Sequence, residues 1–481
     1  LPLLAETVII VSRYRAFMPF GRKIEVKKSK YEIDMCSGSI MDKLISFSLP
    51  LMLSGILQLM FNAVDIIVVG RFSGSEALAA VGSTTALISM FTNLFIGVSL
   101  GTSVLTARFY AAGRDQEVSE TVHTSIMLAL LSGILMVFVG LFFSRGALEL
   151  MDTPDDVIDL STLYMKIYFV GMPFFMLYNY GAAVLRAVGD TKRPLFFLII
   201  SGVLNAGLNL FLVVVFHMGV AGVGIATVIS QMVSCVLVLI CLYRAESSYQ
   251  LRLSKLTMKG VYLKQIFQVG VPAGIQSTVI NFSNVLLQSS VNSFGSIAMA
   301  GYTAANNLLG FLYASVNSIT QACMSFTSQN YGVGKWKRMD RVLIDCMILT
   351  TGVALVIGGA FYGFGPEILK IYTDNEEVVR SGMEILSFTT LTYFLCGLMD
   401  LFPGALRGMG HSAVPMILSV LGTVGTRVVW IFLIFPQHRS LDILFISYPV
   451  SWLLTILMQV ICFGFVRKKV HEGLQSKGAA A

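Results

Sequence analysis

Charge is what this chain has little of. Asp, Glu, Lys and Arg make up 13% of its 481 residues, where an ordinary soluble domain carries about 25%. So few charges cannot keep a protein surface in water, which excludes a soluble globular fold. Seven cysteines, at 36, 235, 241, 323, 346, 396 and 462, are scattered without a C-x-x-C pair, which excludes a disulfide framework and a cysteine zinc site. The five histidines are equally dispersed, and none sits beside a mid-membrane acid, so a membrane-embedded enzyme lacks its converging groups. No G-x-x-x-x-G-K-[ST] occurs, and GVGKWK at 332–337 lacks the spacing of a phosphate loop. ATP-driven work by this chain alone is not expected, and neither is a cofactor.

What fills the chain instead is apolar: 55% hydrophobic residues and a mean hydropathy of +0.77. Windows of about 20 apolar residues, about 30 Å of helix, fall at 44–70, 77–107, 121–143, 157–180, 194–216, 220–243, 263–291, 297–326, 342–364, 378–403, 412–435 and 442–466. The expectation is an all-α polytopic membrane protein with twelve transmembrane helices. Pro50, Pro173, Pro272 and Pro403 fall inside these windows and are read as tolerated kinks. GVAGVG at 219–224 is read as a small-residue packing patch.

The net charge of +7 is a topology signal and not a nucleic-acid one. Of 34 Lys and Arg, 27 fall on one side of the predicted spans and five on the other, with Lys166 and Arg427 inside spans. Basic loops stay inside, so both termini are expected in the cytoplasm of a bacterial plasma membrane. Residues 1–40 read as a basic cytoplasmic tail, disordered or an over-long gene start with Met35 or Met41 as the true beginning. An N-lobe at 41–243, a cytoplasmic linker at 244–260, a C-lobe at 261–466 and a tail at 467–481 complete the expected division.

The two halves repeat. LRAVGDTKRP at 185–194 returns as LRGMGHSAVP at 406–415, and TARFYAAGRDQEV at 106–118 as TSQNYGVGKWKRM at 327–339, both at an offset of 221. TPDDV at 153–157 aligns with DNEEV at 374–378 at the same offset, and SLPLMLSGI at 48–56 with GVPAGIQST at 270–278 at 222. Six spans per half keep both copies in one orientation. This is a parallel repeat about the membrane normal, which usually frames a cavity between lobes.

With the twelve spans, the duplicated L-R-x-x-G frame and LMFNAVDIIVVGR at 59–71, the chain resembles the multidrug and toxic compound extrusion (MATE) family over roughly 40–466. The resemblance implies a V-shaped bundle of six plus six helices that exchanges cytoplasmic organic cations for external protons or sodium ions. It is most similar to the bacterial and archaeal branch, whose cation site lies in the N-terminal lobe. On that resemblance the first-span carboxylate is Asp65 and the sixth-span threonine is Thr227. The fifth-span N-x-x-x-D pair matches Asn205, with Asn209 in place of the acid. One carboxylate stands where that branch often has two.

The residues themselves support a cation site there. Asn205 and Asn209 share a helix face at i and i+4, and all four positions lie at similar depth in the outer half of the membrane. One carboxylate, two amide carbonyls and a hydroxyl suit a hard cation such as Na⁺, for which Asp65 would be the charged ligand. The same carboxylate, desolvated, could instead hold a proton. For the amides and the hydroxyl the plainer alternative is helix–helix hydrogen bonding; an intramembrane acid is by default functional.

Lys166 reads either as a side chain snorkelling outward or as a charge partner of Asp65. Asn62, Asn179, Gln276, Asn284, Asp400 and Arg427 are candidates for the substrate cavity or for lobe-interior polar contacts. In the second lobe position 287 is Leu, so no acid repeats Asp65. The expected function is secondary active efflux of lipophilic organic cations by a monomer. A flippase for lipid-linked saccharide or lipid is the alternative within the superfamily.

Overall fold

The computed structural model describes residues 30–151 and 153–478. Residues 1–29 of the expected tail lie outside the described residues. The first half is built from α1 (Ile40–Phe72), α2 (Gly74–Ala111), α3 (Asp115–Glu149), α4 (Asp155–Val170), α5 (Met172–Ala187), α6 (Lys192–Leu210) and α7 (Gly219–Tyr243). The second half comprises α8 (Gly260–Asn292), α9 (Ser296–Gly332), α10 (Trp336–Gly363), the short α11 (Gly365–Leu369), α12 (Glu376–Thr389), α13 (Tyr393–Gly408), α14 (Ala413–Ser419), α15 (Thr426–Val429) and α16 (Leu441–Gly478). No strand occurs among the described residues, and all seven cysteines are free thiols.

Eight helices are long and apolar enough to cross a bilayer, and α4 with α5 and α12 with α13 add two bent spans, at 46° and 50°. α8 and α9, of 33 and 37 residues, are long enough but more polar. In the second half they take the places of α1 and α2. The protein is therefore multi-pass and all-helical, in two repeated six-span lobes.

The two bends have different causes. Between α4 and α5 the chain breaks at Gly171, with Pro173 at the start of α5, where a missing N–H costs nothing. Between α12 and α13 no proline stands at the break. There Thr389, Thr390 and Thr392 each donate a hydroxyl to the carbonyl four residues back, at 2.7, 2.6 and 2.7 Å; such back-bonding bends helices. Pro403 breaks nothing, because α13 runs through it. Of the two predicted kinks in these spans, the structure keeps the one near Pro173 and moves the other to the threonines.

The repeated L-R-x-x-G motifs end α5 and α13 on left-handed glycines, Gly189 at φ +99° and Gly410 at φ +89°. Only glycine adopts this without strain. A Cβ on Gly189 would also meet the Ile33 backbone, and one on Gly410 the Arg108 guanidinium. Arg186 and Arg407 therefore lie in the last turns of helices, not in loops as the charge pattern suggested.

The first helix of each half packs in both cores. Leu44, Phe47 and Leu51 of α1 are buried in one cluster with Ile319, Phe326, Val342 and Phe402 of the second half. Further along the same helix, Val68 and Val69 belong to the first-half core. α8 does the converse: Ile266 and Val269 pack in the first-half core and Leu287 and Val291 in the second. Each lobe's first helix thus begins in the other lobe's core.

The crossing of α2 and α8 explains why. Gly97 and Gly101 on α2 face Gly270 and Gly274 on α8, so close that a Cβ on Gly97 would overlap the Gly274 backbone. Two G-x-x-x-G faces let the backbones touch, the usual way for helices to associate in lipid. Further contacts close the same, basic end of the bundle. Ser328 Oγ donates to Val104 O at 2.6 Å, Gln329 Nε2 to Ala187 O at 2.7 Å, and Arg108 lies 4.7 Å over the Tyr331 ring.

Candidate functional site

Asp65, Asn205, Asn209 and Thr227 come together. α1 and α6 cross tightly because Gly202 leaves room for the Phe61 ring. One turn further along α1 and two along α6, this crossing brings Asp65 against Asn209. Asn209 Nδ2 donates to Asp65 Oδ1 in a short hydrogen bond and to Asn205 Oδ1 at 3.2 Å. Asn205 Nδ2 reaches Thr227 Oγ1 at 3.5 Å, and the Thr227 hydroxyl donates to Val223 O at 2.9 Å. The four residues form one chain of polar contacts across α1, α6 and α7.

Burial across this cluster is uneven. Asn209 is fully buried and Asn205 nearly so, while Asp65 and Thr227 are half-buried. Asn209 Oδ1 is a buried acceptor without a hydrogen-bond donor, a costly condition. This free oxygen belongs to the same amide whose Nδ2 bonds the Asp65 carboxylate. Immediately beyond Asn209 the helix widens into a π-turn at Phe211–Val215, a feature frequent near functional sites. Tyr164 and Tyr168 of α4 lie within electrostatic reach of Asp65. The sequence reading passed over them, and over Gly202 and Phe61, because a lone tyrosine or glycine in an apolar run carries no signal.

The charge-partner reading of Lys166 does not hold: no ion pair joins it to Asp65 among the described residues, whose acceptor contact comes from Asn209. The remaining candidates separate into distinct places. Asn62 is exposed and makes none of these contacts, and Asn179 bonds back to Phe175 O at 2.8 Å in its own helix. Gln276 is buried and accepts from Arg407 Nη2 at 2.5 Å. Asp400 feels the Arg407 charge from the same helix, apart from the Asp65 cluster.

Arg427 and Asn284 form a third cluster, in the C-lobe. Arg427 is 3% exposed, donates to Asn284 Oδ1 at 2.8 Å and to Ser451 Oγ at 3.3 Å, and sits 4.6 Å over the Tyr448 ring. None of the ion pairs among the described residues includes it.

The MatE family profile matches residues 50–211 and again 272–433, two copies at an offset of 222. The chain belongs to the MatE family. A probable multidrug resistance protein of Bacillus subtilis, YoeA, is 29% identical over 88% of this chain and 93% of its own length. The multidrug export protein MepA of Staphylococcus aureus is 24% identical over 79% of this chain and 84% of its own.

Among solved structures, a MATE protein in complex with MaL6 matches with a TM-score of 0.87 at 19% identity, covering 92% of this chain and 100% of that one. An outward-facing multidrug resistance MATE family transporter of the MOP superfamily matches with a TM-score of 0.85 at 18% identity, covering 93% and 100%. The twelve-pass, two-lobed MATE architecture is thus shared at low sequence identity.

The family offset places the Asp65 cluster beside its own copy. Positions 65, 205 and 209 correspond to Leu287, Arg427 and Ile431. Where the N-lobe carries a carboxylate and amides, the C-lobe carries leucine and a guanidinium.

Proposed function

We propose that this MATE protein is a secondary transporter that exports lipophilic organic cations in exchange for an inward-moving H⁺ or Na⁺. It acts in the bacterial plasma membrane with both termini in the cytoplasm. The observation that carries the reading is the Asp65 cluster: one intramembrane carboxylate, an orphaned Asn209 Oδ1 and the Thr227 hydroxyl on three helices of one lobe. The names of YoeA and MepA, multidrug resistance and multidrug export, point to the same substrate class.

Asp65 supplies the charge that attracts the ion, Asn209 holds the carboxylate in place, and Asn205 in turn accepts from Asn209. The ion, bound from outside, ties α1 to α6 and α7 and so favours one arrangement of the lobes. Since α1 also runs through the C-lobe core at its basic end, a change at Asp65 reaches both lobes through one helix. The experiment is exchange in proteoliposomes loaded with ethidium or tetraphenylphosphonium, with a pH gradient and a sodium gradient imposed separately. Uptake driven by one gradient identifies the ion, and cation flux indifferent to both gradients would refute exchange.

A further inference from the structure

Residues 31–38, expected to be part of a disordered tail, instead cross the basic end of the bundle and hold both lobes. On the N-lobe side the Glu32 carboxylate accepts from Tyr110 Oη at 2.6 Å and from Tyr249 Oη at 2.7 Å, one phenol to each oxygen. Tyr110 ends α2, and Tyr249 lies in the linker between the halves. Ile33 N donates to Gly189 O at 3.2 Å, and Arg193 lies 5.5 Å over the Tyr31 ring. On the C-lobe side Arg338 at the start of α10 donates to the carbonyls of Met35, Ser37 and Gly38 at 3.1, 2.7 and 2.9 Å. Asn330 and Lys335 add donors to Met35 O and Cys36 O.

The two attachments differ in kind. The C-lobe grips four consecutive backbone carbonyls, and the Met35 side chain is fully buried in the cluster that also holds Leu44 and Phe47 of α1. Separating the segment from that lobe would expose this apolar surface and strand several donors. The N-lobe holds it mainly through one carboxylate between two phenols. Charge-assisted bonds of this sort are strong but few, and both partners can be hydrated when they part.

We propose that this segment is a strap that latches the basic-end gate. It travels with the C-lobe and releases Glu32 from Tyr110 and Tyr249 each time the basic ends of the lobes separate. The inference rests on the reading that the lobes alternate. It adds that the closed state is held by a segment preceding the first membrane helix. The strap continues directly into α1, the helix that carries Asp65, so the latch and the ion site lie on one continuous stretch of chain.

The test uses nitroxide labels at Gln116 and Lys337, exposed positions at the starts of α3 and α10, in the full chain with its seven cysteines replaced. Distance distributions are compared for the parent, Glu32→Gln, and the double variant Tyr110→Phe/Tyr249→Phe, with melting temperature as the check on folding. Each variant removes the same charge-assisted bonds. Each should therefore move the closed-to-open ratio at least about tenfold toward the longer distance, and combining them should add little. An unchanged ratio in both variants overturns the strap, whether or not the parent samples two distances. A parent fixed at one distance in every ion condition counts separately against alternating lobes. A shift on strap release from such a parent still supports the latch.

Discussion

Replacing Asp65 with asparagine separates the chemistry of the site from its architecture. The asparagine keeps the shape of the side chain and still offers Oδ1 to Asn209 Nδ2, the contact that joins α1 to α6. What changes in the fold is a charged acceptor becoming neutral, a difference of about 1 kcal/mol. What changes for an ion is larger. A carboxylate and a monovalent cation 4 Å apart at an effective dielectric constant of about 20 attract by about 4 kcal/mol. At about 1.4 kcal/mol per tenfold, losing that attraction lowers ion affinity by nearly three decades, and direct contact would make the loss greater. No second acid compensates, because Asn209 stands beside Asp65 and Leu287 and Arg427 fill the corresponding C-lobe positions. The assay pairs radioactive sodium binding, and dye-detected proton release on adding tetraphenylphosphonium, with melting of the purified protein. The expected result is a normal melt with ion-linked signals lowered at least about a hundredfold. Retention of either signal within about threefold of the parent would refute the reasoning.

Gly97→Ala should destabilise the protein by about 3 kcal/mol by forcing α2 from the Gly274 backbone. Gly352→Ala, where no atom lies within 4 Å of the new Cβ, should melt no lower than the parent; equal melts for the two variants would sink the tight-crossing argument. Arg427→Met should leave stability within about 1 kcal/mol, since removing the guanidinium strands no ion-pair partner. A loss beyond about 3 kcal/mol would refute that reasoning. Burial, with the nearby Arg108 and Lys469 charges, pushes the His411 imidazole down from 6.5 to about 4. The folded state thus keeps it neutral while the unfolded chain takes up a proton, so this contribution to stability is complete above pH 6.5 and is lost as the pH falls towards 4. His411→Gln should flatten that part of the melting-temperature profile, and parallel profiles would exclude the effect.

The sequence was informative wherever one property recurs along it. Scarce charge and twelve apolar windows determine an all-helical membrane protein, because backbone groups in lipid must be satisfied within each helix. The offset of 221 to 222 determines two parallel halves. An aspartate in an apolar run marks the place where the chemistry lies, and the paired asparagines at i and i+4 share its depth. The sequence reading overlooked a legible signal in Gly97, Gly101, Gly270 and Gly274, whose spacing is that of a close helix crossing.

Tertiary structure alone decided which polar groups meet. Lys166 and Asp65 are both ionisable intramembrane residues, yet among the described residues it is Asn209 that bonds the carboxylate, because α1 packs on α6 through Gly202 and Phe61. The thresholds between lobes were equally hidden, since α1 and α8 each pass from one core to the other within a single continuous helix. A polar segment such as 31–38 looks disordered by composition, because composition does not record donors supplied by Tyr110, Tyr249 and Arg338 from distant helices. Hydrophobic pattern and periodicity are local and survive in one dimension. Pairing of buried polar groups depends on helix rotation and crossing, which only the packed bundle determines.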